Sequence, residues 1–180
     1  VKGTWRTSWI VEPANGQIPT KPGKAGNPYG PRLGNGYDNP EERGLGERCV
    51  LLSGGPPLRS GLYNNNVQIV QTPDTVVIAV EDMEPVRIVS LTAPPQHDAL
   101  RSRGGQSRGR WEDDTFVVET TSLSIADPAG LTWRGGAFVT TDSRVIERFR
   151  LVSTDLLHYQ FTIEDPSLYT RNWSGEMALN

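Results

Sequence analysis

The stretch from Ser107 to Thr121, SRGRWEDDTFVVETT, constrains the fold of this 180-residue chain more than any other part of the sequence. Two segments of alternating polar and apolar residues flank Asp113-Asp114, a pair suited to a tight two-residue turn, and they predict a β-hairpin. That turn places Arg108 opposite Glu119 on a charged face of the hairpin. The other face carries the space above a glycine and three large side chains: Trp111, Phe116 and Val118.

Turn residues between alternating segments predict two more hairpins. Pro73-Asp74 separates residues 67–72 from 75–80, and Thr154-Asp155 separates residues 143–152 from 157–164. Single strands are predicted at residues 5–11, 87–91 and 171–177. Short strands joined by turns, without a convincing helical period, favour an all-β fold: one antiparallel β-barrel or a barrel-like sandwich. Its expected core includes Trp111, Phe116, Val118, Phe149, Leu151, Phe161 and Ile163.

Residues 13–61 form an irregular region rich in turn formers. They hold 8 of the 14 prolines and 11 of the 19 glycines of the chain, which is incompatible with a long helix or a central strand. The region is too long for a simple connector, so we expect it to wrap the surface of the domain or a cavity mouth. The length of the chain fits one domain over residues 1–180.

Composition excludes several classes of partner. A net charge of −3 argues against nucleic acid or an anionic membrane as a partner, and no apolar run is long enough to span a bilayer. Cys49 is alone, which precludes an internal disulfide, and its apolar neighbours predict a buried thiol. With one cysteine and no HxH or HExxH spacing, the sequence predicts no metal site and no cofactor.

The third hairpin places two polar groups among apolar ones. On its first strand, Glu147 shares a face with Val145 and Phe149. On the paired strand, Tyr159 shares a face with Phe161. A carboxylate buried there needs a partner or must take up a proton. We therefore expect Glu147 to face the interior near Tyr159, either as a catalytic group or as part of the core.

Three segments together resemble a large group of bacterial, mostly exported proteins of unassigned function. They are residues 61–72 with Tyr-Asn-Asn-Asn, the hairpin at 107–121, and residues 147–166 ending in Glu-Asp-Pro. The resemblance covers roughly residues 12–176. It implies a lipocalin-like β-barrel and a periplasmic or secreted location, and it supplies no reaction. This chain departs from the group where Gln106 replaces an aspartate, Asp113 replaces the hairpin glycine and Pro-Gln-His97 replaces Arg-Pro-His.

Several residues are candidates for a site. His97, with Asp98 beside it, suits acid–base work near neutral pH, although a structural hydrogen bond is the alternative. Arg108 and Glu119 form a structural ion pair or, in a cavity, Arg108 anchors a carboxylate or an oxyanion. Asn65 and Asn66 are candidates for a turn or for binding hydroxyls. Of the five tryptophans, several are expected in the core and one or two are candidates for the floor of a pocket. The predicted ligand-binding set is Asn65, Asn66, Gln68, Arg108, Trp111, Glu119 and Trp173.

Three functions stay open. The first is a cofactor-free lyase, isomerase or hydrolase with His97, Glu147 and Tyr159 as catalytic groups and a small molecule as substrate. The second is a non-catalytic, lipocalin-like protein that binds a small molecule, and the third is a module with a filled interior. A monomer or a homodimer fits each of them. Mutation of Glu147 or His97 separates catalytic from structural roles, since only structural roles predict a loss of stability.

Overall fold

The computed structural model describes residues 8–24, 38–40, 55–58, 65–81, 86–92, 100–102, 104–124 and 139–180. Their nine strands form one sheet in the order β1-β9-β8-β7-β6-β5-β4-β3-β2, and they include no α-helix. The strands are β1 (Ile10–Glu12), β2 (Val67–Gln71), β3 (Thr75–Val80), β4 (Arg87–Ser90), β5 (Gln106–Glu112), β6 (Thr115–Thr121), β7 (Arg144–Ser153), β8 (Leu156–Glu164) and β9 (Trp173–Leu179).

The predicted all-β class is confirmed, and the sheet differs from the expected antiparallel barrel in two ways. Within the described ranges β1 and β2 are edge strands that do not pair with each other, so the sheet is not closed into a barrel. It is also mixed rather than antiparallel, because β4 and β5 run parallel. A parallel pair needs a connection of a dozen or more residues, and residues 91–105 provide that length.

All three predicted hairpins are present. In the central one, β5–β6, Arg108 pairs with Glu119 and Glu112 with Thr115, the register expected from the sequence. Asp113 has a φ of 52°, as primed hairpin turns require. A Cβ at Gly109 would lie 2.5 Å from the ring of Phe116, so this glycine makes room for the ring above the sheet. The β2–β3 and β7–β8 pairs are antiparallel as well.

Alternation along β3, β4, β7 and β8 separates a more buried inner face from a more exposed outer face, whereas on β6 the outer-face Val117 is buried as well. Five of the seven expected core residues, Phe116, Val118, Phe149, Phe161 and Ile163, are buried on the inner face. The prediction is wrong for the other two: Trp111 is 52% exposed and Leu151 is 64% exposed. Both lie near hairpin turns, where few described residues cover the inner face, although Trp111 still packs its ring 5.2 Å from that of Phe116.

An ion pair shows that the sheet is strongly curved. Arg87 on β4 contacts Glu147 on β7 at 2.6 Å, although β5 and β6 lie between these strands. In a flat sheet, strands three positions apart are about 14 Å from each other, and their side chains project in parallel, perpendicular to the sheet. The contact therefore requires the inner faces of β4 and β7 to turn toward each other around a concave interior.

Segments outside the sheet complete this interior at two places. Trp9 packs on Phe161 and on Trp173, with ring centroids 5.5 and 5.7 Å apart, and Gly175 leaves the space for its ring. Leu58, from the described residues 55–58, is buried in the core cluster. The predicted first strand, residues 5–11, begins at Ile10, and its residues 5–7 lie outside the described ranges.

Candidate functional site

The inner face holds a closed polar cluster around Glu147. The Arg87 guanidinium donates two hydrogen bonds to this carboxylate, at 2.6 Å to Oε2 and 3.0 Å to Oε1. The Tyr159 hydroxyl donates a third, at 2.7 Å to Oε1. Glu147 and Tyr159 are fully buried and Arg87 is nearly so. The prediction that Glu147 faces the interior beside Tyr159 is therefore confirmed.

The surroundings of Tyr159 keep its hydroxyl protonated. Burial, followed by the charge of Glu147, raises the pKa of Tyr159 well above its usual range, so the phenol stays neutral and donates its proton to the carboxylate. The phenol oxygen in turn accepts the backbone N–H of Leu58 at 2.8 Å. Glu147 is thus satisfied by a cation and a neutral donor, as a buried carboxylate requires.

A second polar feature, the outer cleft, lies on the opposite side of the sheet. It has a volume of about 270 Å³ and is open on one side. Its lining comes from the outer faces of β5 and β6, together with Gly109. The residues that line it are Gln106, Arg108, Gly109, Arg110, Glu119 and Thr121.

Arginines dominate the outer face of β5, β6 and β7, although the chain as a whole is acidic. Four of them have a carboxylate oxygen within 4.0 Å: Arg110, Arg144, Arg148 and Arg150. The fifth, Arg108, is half-buried at the cleft and forms no hydrogen bond or ion pair within the described part of the chain. The outer cleft therefore contains a guanidinium whose donors are not used by the fold.

The predicted ion pair between Arg108 and Glu119 is wrong in its chemistry, although the residues do face each other across β5 and β6. Glu119 instead accepts two hydrogen bonds from Arg144 on β7, each 2.8 Å long. These bonds lower the pKa of Glu119, despite partial burial, and raise that of Arg144. Arg144 also donates to Glu164 on β8, at 3.0 Å, so its guanidinium bridges the carboxylates of Glu119 and Glu164.

The predicted site residues do not form one site. Glu147 and Tyr159 lie inside the curved sheet, whereas Arg108 and Glu119 lie on its outer face. The predicted catalytic His97 lies outside the described residues, as does Cys49.

The remaining predicted ligand-binding residues are scattered. Asn65 and Asn66 precede β2 and are exposed, and the Asn66 amide donates to Glu81 Oε2 at 2.7 Å. Gln68 lies exposed on edge strand β2, and Trp111 packs near a hairpin turn. Trp173 is a core residue, buried against the rings of neighbouring aromatic residues, and its Nε1 has no hydrogen-bond partner among the described residues.

Sequence reasoning missed two buried charged residues. Arg87 shares the buried face of β4 with Val89, and this alternation was the available signal that it points inward. Asp165 is buried in a ring of hydroxyl groups: the Thr140 hydroxyl donates to Oδ2 at 2.7 Å, Ser143 donates to the same oxygen, and the Ser167 hydroxyl donates to Oδ1 at 2.6 Å. A carboxylate followed by Pro166 and Ser167 is typical of a turn, which was the only signal for Asp165.

Comparison of the chain with known protein families, with curated proteins and with solved structures gives no match. Across the described ranges, no group of three or more histidine, cysteine, aspartate or glutamate residues is arranged to hold a metal ion. The same ranges contain no helix long and apolar enough to cross a membrane. Functional inference therefore depends on the inner cluster and the outer cleft.

Proposed function

We propose that this chain is a non-catalytic small-molecule-binding protein whose ligand occupies the outer cleft. The observation that carries the proposal is the half-buried Arg108, which faces an open cleft with its donors uncommitted. The inner cluster, by contrast, already has its carboxylate bound by three donors from Arg87 and Tyr159. A ligand gains more from donors that the fold leaves open than from groups that it must first separate.

The size of the outer cleft limits the ligand. Typical small-molecule sites have volumes of roughly 300–1,000 Å³, and the outer cleft, at about 270 Å³, falls just below that range. A compact ligand with one or two polar groups fits this space better than an extended one. The open side also means that such a ligand stays partly solvated, which favours modest affinity.

The curvature of the sheet supports a lipocalin-like architecture as part of this proposal. The Arg87–Glu147 contact spans the concave interior and brings the two halves of the sheet together. A barrel-like shell with a filled interior would then present ligands to its outer wall rather than to its centre. The resemblance to exported bacterial proteins supports a periplasmic or secreted location.

An acid–base enzyme is the second candidate, and the buried charge on Glu147 favours it. In this version Glu147 and Tyr159 transfer protons inside the curved sheet, and His97, which lies outside the described residues, is the predicted third catalytic group. The Leu58 N–H that binds the Tyr159 hydroxyl would have to leave when substrate enters. This candidate predicts a substrate-dependent change at Tyr159, whereas binding in the outer cleft predicts none.

A fragment screen by protein-observed NMR tests the binding proposal. We expect some small polar fragments to shift the backbone resonances of β5 and β6, with the largest shifts at Gln106, Arg108 and Thr121. Thr121→Tyr fills the outer cleft and should abolish these shifts. Thr115→Tyr is the matched control, because Thr115 lies on the same face of the same strand but does not line the cleft. Shifts confined to β7 and β8 around Glu147 and Tyr159 would instead favour the enzyme.

A further inference from the structure

We infer that the ligand of the outer cleft is a small monocarboxylate held by the guanidinium of Arg108, an inference that rests on the proposed function. A guanidinium presents its donors in a planar fork that matches a carboxylate, with two parallel charge-assisted hydrogen bonds. Among the outer-face arginines of β5–β7, Arg108 is the one with no carboxylate oxygen of the described chain within 4.0 Å, and Arg150 has only Asp114 at that limit. A carboxylate from solution would bind Arg108 in the way that protein carboxylates lie beside the other outer-face arginines.

The charges beside Arg108 limit the ligand to a single negative charge. Glu119 also lines the outer cleft, and although Arg144 holds both of its oxygens, its charge stays within reach of a bound anion. Arg110, the other cation of the lining, already binds Glu112 at 2.6 and 2.9 Å. A ligand with one carboxylate uses the fork of Arg108 fully, whereas a second negative charge finds no further uncommitted cation in the lining and is repelled by Glu119.

Neutral groups of the lining complement the carboxylate. Gln106 donates its side-chain N–H to the backbone carbonyl of Leu100, which fixes this amide and leaves its oxygen as an acceptor. Thr121 faces Gln106 across β5 and β6 and brings a hydroxyl to the same end of the outer cleft. The arrangement accepts a carboxylate at Arg108 and a hydrogen-bonding substituent toward Gln106 and Thr121.

NMR titrations with three probes test this inference: benzoate, the neutral isostere benzamide and inorganic phosphate. We expect benzoate to shift the side-chain Nε–H signal of Arg108 and to bind at least tenfold more tightly than either other probe. Arg108→Gln should weaken benzoate binding roughly ten- to hundredfold, because hydrogen bonds to charged groups are lost. Arg108→Lys keeps the charge but not the fork, so its affinity should lie between those of the wild type and Arg108→Gln.

Two further variants control for net charge. Arg150→Gln removes the same charge from the same face, but Arg150 lies outside the outer cleft with Asp114 4.0 Å away, so benzoate affinity should stay within about twofold. Glu119→Gln removes the carboxylate beside the ligand and should tighten benzoate binding. An equal loss in Arg108→Gln and Arg150→Gln would indicate a diffuse field, and would overturn a specific role for Arg108.

The outcomes separate this inference from the proposed function. Benzamide binding as tightly as benzoate, phosphate binding more tightly, or an unchanged affinity in Arg108→Gln would overturn the carboxylate assignment while leaving the outer cleft as a binding site. If no fragment shifts the cleft resonances, or if Thr121→Tyr leaves all shifts intact, the proposed function itself fails. Benzoate selectivity lost in both Thr121→Tyr and Arg108→Gln supports both.

Discussion

Two arginine–glutamate pairs with nearly the same geometry lie on opposite faces of one sheet. Arg87 and Glu147, on the inner face, form two hydrogen bonds of 2.6 and 3.0 Å and are almost completely buried. Arg144 and Glu119, on the outer face, form two bonds of 2.8 Å with side chains that are 41% and 33% exposed. The charged groups are the same, and burial is the main difference between the pairs; each also has a third partner, Tyr159 for Glu147 and Glu164 for Arg144.

This difference determines what each pair contributes. On the outer face water competes for both charges, and such pairs stabilise a fold by about 0–1 kcal/mol. On the inner face each charge has lost its water, so removal of one partner leaves the other uncompensated in a medium of low dielectric constant. The inner pair therefore holds the curved sheet in one arrangement, whereas the outer pair leaves its neighbour Arg108 available to a ligand.

The largest effect is expected for Arg87→Met. This variant strands the buried Glu147 carboxylate, and we expect the free energy of unfolding to fall by about 3–5 kcal/mol, measured by urea denaturation. Arg148→Met is the matched control, because Arg148 pairs with Glu112 on the exposed outer face, and its loss should be far smaller than that of Arg87→Met.

A double variant shows whether the effect comes from the stranded charge. Arg87→Met combined with Glu147→Leu removes both charges and should recover most of the loss, because apolar replacements of a buried pair are often neutral or stabilising. Glu147→Gln alone should also destabilise the protein, which is the structural outcome for this residue. A thermal midpoint for Glu147→Gln equal to or above that of the wild type would contradict this interpretation and favour the catalytic one.

Local patterns predicted the hairpins and the faces of the sheet. The turn at Asp113-Asp114 fixed the register of β5 and β6, and alternation placed Glu147 and Tyr159 inside, because strand geometry has a strict period of two residues. The parallel pairing of β4 with β5 was not predictable in this way. It depends on a long connection whose path no short-range pattern specifies.

The candidate site was predicted in pieces rather than as a whole. Alternation already placed Arg108 and Glu147 on opposite faces, so a single site containing both conflicted with the same pattern that located them. The partner of Glu147 was missed because Arg87 lies 60 residues away and reaches it only through the curvature of the sheet. The sequence predicted that Glu119 pairs with Arg108, which lies opposite it on β5, whereas Arg144 binds it from β7.

A buried carboxylate without a cation sharpens the comparison further. Among the described contacts, Asp165 is held by hydroxyl and backbone donors alone. Burial would raise its pKa, but hydrogen bonds from Ser143, Ser167 and Thr140 outweigh that effect, so the pKa of Asp165 is lowered. Asp165→Asn replaces one acceptor oxygen by a donor, and we expect it to lower the free energy of unfolding by about 1–3 kcal/mol at neutral pH.

The pH dependence of this variant has a definite sign. A lowered pKa in the folded state means that the Asp165 carboxylate stabilises the fold above its unfolded pKa of about 3.9, and this contribution disappears as the pH falls through the folded value. The wild type should therefore lose more stability than Asp165→Asn as the pH falls from about 5 to about 2, the range over which an aspartate titrates. Parallel pH profiles for the two proteins would show that Asp165 contributes nothing through its charge.

The smallest effect is expected for the outer pair, in a double-mutant cycle with Glu119→Gln and Arg144→Gln. We expect a coupling free energy of about 0.3–1 kcal/mol. This coupling should shrink as the salt concentration rises from about 0.05 to about 1 M, because the screening length at 1 M is only about 3 Å. The same cycle at Arg87 and Glu147 should give a larger coupling that changes little with salt, because ions do not enter the interior. Equal couplings, or equal salt sensitivity, would mean that burial does not distinguish the two faces.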